Sequence, residues 1–193
     1  MTLPVLKTRR LVLRPFQEGD AEAIANLGGR DFEVARWLTG CTWPYEDGAA
    51  EAFVDKVLHQ GALDLEHMTG EAVFAITLGG IFIGTVAIQA PGDLEEQPDC
   101  PTLGYWLGRP FHGFGYATEA AEAVLEWAFE AFHCQAIAAR AYEDNTASRA
   151  VLRKQGFRPV GKTVRFAKAL DRKVSNIVVR LERSEFESRR AAA

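Results

Sequence analysis

The chain has 193 residues, 48% of them hydrophobic, with a formal net charge of −4. This length predicts one domain with its own core, and the mildly acidic balance argues against a general nucleic-acid surface. No apolar run approaches the ~20 residues that span a bilayer, and the N-terminus does not read as a signal peptide. Three widely spaced cysteines, Cys41, Cys100 and Cys134, suit a reducing compartment better than a disulfide framework. A cytoplasmic protein without membrane attachment is expected. His59, His67, His112 and His133 are scattered, so no structural metal is expected.

Residues 10–16 alternate, with Leu11 and Leu13 on one face, and predict the first strand, stopped by Pro15 and Gly19. Asp20 is placed to cap a short helix over 21–27 that ends at Gly28-Gly29. A second helical piece is expected over 32–38. An aromatic loop, Thr42-Trp43-Pro44-Tyr45, separates it from a third helix over 47–60. Residues 71–78 and 81–89 read as strands joined by Gly79-Gly80, a strong hairpin signal. Residues 91–101 form a polar loop, expected to be mobile. A strand over 102–108 leads into a glycine turn and a helix reaching Phe132. A small-residue strand (135–141), a helix (147–155) ended by Gly156, and two strands (157–166 and 174–181) complete the order. The tail, 183–193, is polar and expected to fray. With residues 102–141 read as a right-handed β-α-β crossover, the chain is a mixed-sheet α/β (α+β) domain with a core over about 8–182.

The segment from Leu103 to Trp127 carries the most information. A short apolar strand runs into Gly113-Phe114-Gly115, and the turn opens directly into an amphipathic helix. A helix start exposes unpaired N–H groups at the positive end of its dipole, and glycines let an anion approach them. The unit reads as a phosphate socket. No lysine follows the glycines as a P-loop requires. A dinucleotide site is disfavoured, because Thr118 stands where a third glycine would and Glu143 lies too far along. Coenzyme A remains. Its pyrophosphate would take the N–H groups of 113–118, and its peptide-like pantetheine arm could pair with the strand edge at 106–108.

His112-Gly113-Phe114-Gly115-Tyr116-Ala117 is similar to the Q/R-x-x-G-x-G/A signature of the GNAT superfamily of N-acetyltransferases, with His112 in the Gln/Arg slot. Three further stretches resemble its ribosomal-protein (RimJ/RimL-type) branch. They are Thr8-Arg9-Arg10-Leu11-Val12-Leu13-Arg14-Pro15, Gly104-Tyr105-Trp106-Leu107, and Glu143-Asp144-Asn145-Thr146-Ala147-Ser148 leading to Gly156-Phe157. The resemblance implies a mostly antiparallel seven-stranded sheet with helices on both faces and a central β-α-β acetyl-CoA unit. It implies transfer of acetyl from acetyl-CoA to a primary amine by direct attack in a ternary complex, by a monomer or homodimer. Trp106, Leu107, Gly108, His112, Gly113, Phe114, Gly115, Tyr116, Ala117 and Thr118 would bind the cofactor, with Asn145, Ser148 and Lys154.

Many members carry a tyrosine acid four residues before the glycine of the Gly-Phe pair; here Leu152 stands there, and Ser148, one turn earlier, is the candidate to contact the CoA sulfur or arm and act as the acid or position a water that does, while Asn145 would hydrogen-bond the pantetheine. A glutamate often precedes the Gly-Tyr-Trp run by two residues. Thr102 occupies that place and cannot accept a proton at neutral pH. Glu71, Asp99 or Asp171 could substitute, a water chain could serve, or the amine could arrive neutral. Trp37, Trp43 and Tyr45 would wall the acceptor groove. Plainer roles compete with these: Asn145 as a helix N-cap, the aromatic loop as a packing plug, and Lys154 as a solvated helix lysine. The resemblance favours a protein N-terminal α-amine as acceptor. A small-molecule amine, or CoA binding without transfer, are the alternatives.

Overall fold

The computed structural model describes residues 3–59 and 63–192. One sheet organises them. Its strands are β1 (Leu6–Lys7), β2 (Leu11–Pro15), β3 (Glu71–Leu78), β4 (Ile81–Gln89), β5 (Thr102–Leu107), β6 (Ala136–Tyr142), β7 (Arg158–Ala167) and β8 (Arg172–Glu182), in the spatial order β1-β2-β3-β4-β5-β6-β8-β7. Every pairing is antiparallel except β5 with β6. The sheet has eight strands rather than the expected seven. The extra one, β1, is two residues long and pairs Leu6 with Leu13 and Lys7 with Val12. A two-residue strand leaves no periodicity to read.

β3 and β4 are buried on both sides, which explains their nearly continuous apolar sequences. On one face lie α4 (Tyr116–Phe132), α5 (Thr146–Gln155) and α6 (Arg183–Ala191). Seven buried residues of α4 join Leu13, Phe74, Ile83 and Leu103 in the main core. At roughly 1.5–3 kcal/mol per fully buried large side chain, this is the dominant stabilising contact. The other face carries α1 (Ala21–Ile24), α2 (Phe32–Ala35) and α3 (Ala49–His59) over a smaller core of Phe16, Val54, Val73 and Phe82. The expected end of the third helix at Gln60 lies outside the described residues.

Three local expectations change, and a fourth is refined. Asp20 does not cap α1. It lies in a short 3-10 turn, and its carboxylate accepts a two-pronged bond from Arg14 (2.7 and 2.8 Å) and one from the Gln17 N–H (2.9 Å). The helix entered there ends at Gly28-Gly29 as expected, but its last five residues, Ala25–Gly29, widen into a π-type turn. The acidic loop is packed rather than loose. Leu94 is fully buried with Ala136, Ala138 and Val178, and Arg165 and Arg180 hold Glu96 and Gln97. The tail is also docked: α6 buries Phe186 against Phe129, their rings 5.1 Å apart, and Arg183 donates to the carbonyls of Cys134 and Phe129.

Candidate active site

The central feature is a gap in the sheet. β5 and β6 pair only through Thr102–Ala138 and Leu103–Ala139, after which they part. Gly104, Tyr105, Trp106 and Leu107 therefore have no partner on the β6 side, and all four line a cleft of about 1330 Å³. Unpaired strand edges offer N–H and C=O groups to an extended, amide-bearing ligand. The volume exceeds the ~300–1,000 Å³ usual for a single small-molecule pocket, which leaves room for two substrates.

β5 ends at the glycine turn. A 3-10 turn over Arg109–Phe111 turns the chain, and His112 Nε2 donates to the Leu107 carbonyl at 2.7 Å, tying the turn back to the strand. A carbonyl can only accept, so Nε2 carries a proton. Gly113 and Gly115 have φ of 84° and 81°, left-handed values that suit glycine. α4 starts without a side-chain cap, and its first residues, Tyr116, Ala117 and Thr118, line the cleft with Gly113 and Gly115. The geometry fits a pyrophosphate: uncapped N–H groups, a positive dipole end and glycines open to the cleft. Phe114 points away, 60% exposed, and neither it nor Gly108 is part of the lining.

α5 forms the opposite wall. Asn145 is its N-cap, accepting from the Ser148 N–H at 3.0 Å, so the plain structural role is real and leaves its Nδ2 free of partners among the described residues. Asn145, Ser148 and Lys154 all line the cleft, with Lys154 exposed at its mouth. Leu152 is core, 2% exposed.

Tyr105 is the residue that sequence reasoning left without a role. Its hydroxyl donates to the Ser148 carbonyl at 3.0 Å and lies 3.0 Å from Ser148 Oγ. Burial pushes the phenol up to about 12, against a smaller opposing effect of the Ser148 bond, so it stays a donor throughout the neutral range. A swing of this donor from the carbonyl to Oγ frees the Ser148 proton for another acceptor. The signal was present in the Gly104-Tyr105-Trp106 run, but strand alternation alone could not show which helix residue Tyr105 would meet.

Thr102 lies at the vertex where the strands part. It is 4% exposed, and its Oγ1 has no hydrogen-bond partner among the described residues. Of the three carboxylates considered as substitutes, Glu71 lines the cleft and Asp99 and Asp171 do not. Glu71 shares a row with Thr102 through Gln89, two strands away, or about 10 Å at the usual inter-strand spacing. Glu71 is itself bound to Lys56 Nζ at 3.2 Å. Glu33, Glu46, Asp93 and Asp144 also line the cleft, as do Arg109, Arg140, Lys154 and Lys168.

The aromatic wall divides. Trp37 lines the cleft and packs on Tyr142, centroids 5.9 Å apart. Tyr45 lines it too, seated so closely on Gly29 that a Cβ there would lie 2.1 Å from the ring. Trp106 occupies Gly28 in the same way, at 2.9 Å. The glycine pair ends the helical run and also serves as the seat for two aromatics. Trp43 is 42% exposed, stacked 5.0 Å from Phe32, and is not among the lining residues.

Among the described residues, no group of three or more His, Cys, Asp or Glu is arranged to hold a metal, and no helix is long and apolar enough to cross a membrane.

Comparisons with known proteins agree with this geometry. Residues 10–158 match the family model of the acetyltransferase (GNAT) domain. The N-acetyltransferase p20 of Bacillus licheniformis, itself uncharacterised, is 23% identical over 184 residues, covering 95% of this chain and 99% of its own. The structure of Mycobacterium smegmatis RimJ in complex with CoA-disulfide is 25% identical, with a TM-score of 0.70 over 96% of this chain and 88% of that one. RimL, a ribosomal L7/L12 alpha-N-protein acetyltransferase, is 18% identical, with a TM-score of 0.70 over 93% of this chain and 94% of that one. Spanning well over half the chain and including the glycine turn and both walls of the split, the match shows that this protein belongs to the GNAT acetyltransferase family and is an acetyl-CoA-dependent N-acetyltransferase.

Proposed function

We propose that this chain acts as one catalytic domain, acetylating a protein N-terminal α-amine by direct attack on acetyl-CoA in a ternary complex. The pyrophosphate would rest on the N–H groups of the glycine turn and the first turn of α4. The pantetheine arm would pair with the free edge of β5, between Trp106 and Asn145, with Lys154 at the phosphate end. The acceptor would enter over Trp37 and Tyr45.

The observation that carries the acceptor assignment is Thr102. Among the described residues the buried hydroxyl at the vertex has no partner, and the cleft carboxylate in its row, Glu71, sits two strands away, with its backbone about 10 Å distant, and is already bound to Lys56. An acceptor served this way must supply much of its own neutral form. An α-amine with a pKa near 7.7–8.0 does so in the neutral range, whereas a lysine near 10.4 is almost wholly protonated. RimL, an alpha-N-protein acetyltransferase of the same fold, points the same way.

In the reaction the amine nitrogen forms a bond to the thioester carbon. The oxyanion is held by a backbone N–H of β5. The C–S bond then breaks, and the leaving sulfur takes a hydrogen bond, then a proton, from Ser148. The proton shed by the amine passes through water to Ser148 Oγ and restores it, while Tyr105 donates to that oxygen.

Thiol release should be measured against N-terminal peptides, polyamines, amino sugars and free amino acids. Peptides should give the highest kcat/KM, and Ser148→Ala should lower kcat by more than it raises KM for acetyl-CoA. A polyamine or sugar preferred over every peptide refutes the acceptor assignment.

A further inference from the structure

The glycine turn is not self-supporting. Behind it, on the side away from the cleft, lies the segment Thr8-Arg9-Arg10 between β1 and β2. Glu119, in the first turn of α4, accepts from Thr8 Oγ1 (2.6 Å), from the Arg10 N–H (2.8 Å) and from Arg10 Nε (2.7 Å). Arg10 Nη1 donates to the Phe114 carbonyl at 3.0 Å, and its guanidinium lies 4.6 Å from the centroid of the Tyr116 ring. Its Nη2 would sit 3.5 Å from a Cβ placed on Gly115. Arg10 therefore touches three consecutive residues of the turn, yet it is not part of the cleft lining.

The Phe114 carbonyl and the Gly115 N–H belong to one peptide unit. In a planar trans peptide these two groups point in opposite directions. A carbonyl held outward by Arg10 therefore aims the Gly115 N–H away from Arg10, toward the cleft that Gly115 lines. Rotation of this unit changes ψ of Phe114 and φ of Gly115, and on the Gly115 side, with φ 81°, it meets little steric resistance. An inverted unit would turn a carbonyl oxygen, rather than an N–H, toward an incoming phosphate.

We infer that Arg10, braced by Glu119, is a positioning residue for the acetyl-CoA pyrophosphate: it locks the Phe114–Gly115 peptide with its N–H facing the cleft. This rests on the proposed placement of the pyrophosphate on the glycine turn. It also gives a physical role to the Thr-Arg-Arg start of the first long strand, more than 100 residues from the turn in sequence.

The test compares two thioesters. Acetyl-pantetheine lacks the pyrophosphate, so its use does not depend on the orientation of the Gly115 N–H. For Arg10→Gln the ratio of kcat/KM for acetyl-CoA to that for acetyl-pantetheine should fall about tenfold, with the loss in KM for acetyl-CoA. Arg10→Lys, which keeps a donor near Phe114, should recover part of the ratio. Calorimetric binding of CoA should weaken by a similar factor, a readout that needs no turnover. An unchanged ratio and unchanged CoA affinity overturn the inference. Equal losses with both thioesters also overturn it, because they mark a general effect on the fold. If wild-type protein binds CoA but transfers acetyl to no acceptor, the proposed function fails while the binding comparison still decides the role of Arg10.

Discussion

Tyr105→Phe removes one oxygen from the middle of the candidate site. The ring keeps its packing, and the lost hydroxyl made two 3.0 Å contacts, both with Ser148. A net hydrogen bond contributes about 1 kcal/mol to stability, so a loss of about that size is expected in urea unfolding. If the same bond holds the Ser148 proton toward the leaving sulfur, about 1 kcal/mol is lost from the transition state as well. At 1.36 kcal/mol per decade, that lowers kcat roughly five-fold. KM for acetyl-CoA should move by less, since the phosphate contacts lie elsewhere. A pH signature separates this from loose packing. Burial holds the Tyr105 phenol up at about 12 against an unfolded value near 10. Between those values the unfolded chain has released the proton and the native protein has not, so stability falls as pH rises through the window. Tyr105→Phe should lack this alkaline component. Unchanged kcat, or a fall matched by an equal rise in KM, would refute the relay and leave Tyr105 a packing residue.

The remaining expectations test other parts of the cleft and its support. Gly115→Glu puts a side chain at φ 81° and a negative charge on the phosphate seat, and calorimetry should detect no acetyl-CoA binding. Tyr45→Ala should raise the acceptor KM severalfold and spare acetyl-CoA, while Trp43→Ala should change the acceptor KM less, since Trp43 packs on Phe32 outside the lining; a larger effect at Trp43 would place the acceptor against the outer aromatic pair. Phe186→Ala empties a site that is 5% exposed and should cost about 3 kcal/mol in chemical denaturation, with kcat and KM little changed. Burial raises the Glu119 carboxyl, but the Thr8 and Arg10 bonds outweigh it and hold the group below its usual range. The stability it contributes is present above the unfolded value near 4.3 and should be lost as pH falls through the lower folded value, with Glu119→Gln lacking that acid component.

Much of the fold was legible because its elements carry strong local signals. The Gly79-Gly80 hairpin, the long amphipathic α4 and the left-handed Gly156 after α5 all appear within a residue or two of their expected places. What escaped has a common cause: it depends on contacts distant in sequence. β1 is two residues that become a strand only because Leu11–Pro15 lies beside them. The loop at 91–101 looked polar, yet Leu94 and Cys100 pack with Ala136, Ala138 and Val178, and Arg165 and Arg180 hold Glu96 and Gln97. α6 has one large apolar side chain, Phe186, at the spot where Phe129 waits for it. Gly28-Gly29 ends its helix as its sequence suggests, but its further requirement, space for Trp106 and Tyr45, depends on residues far along the chain.

The site divides along the same line. The phosphate seat is one continuous segment, so glycine spacing and helix polarity could expose it without any knowledge of the fold. The chemistry proposed for the thioester end draws on Thr102 on β5, Tyr105 three residues on, Ser148 on α5 and Glu71 on β3, and no local pattern links them. Register joins Glu71 to Thr102 through Gln89, and the parting of β5 from β6 opens the space above Thr102. That arrangement weakens Glu71 as a direct base, because closing a gap of about 10 Å requires intervening water and release from Lys56. It strengthens the case for an acceptor whose own pKa lies near neutrality. If so, kcat/KM for an α-amine substrate should rise with pH and level off above the acceptor's own pKa near 8, and Glu71→Gln should leave that inflection where it is. An inflection that disappears with Glu71→Gln would instead make this carboxylate the base, acting through water across the row.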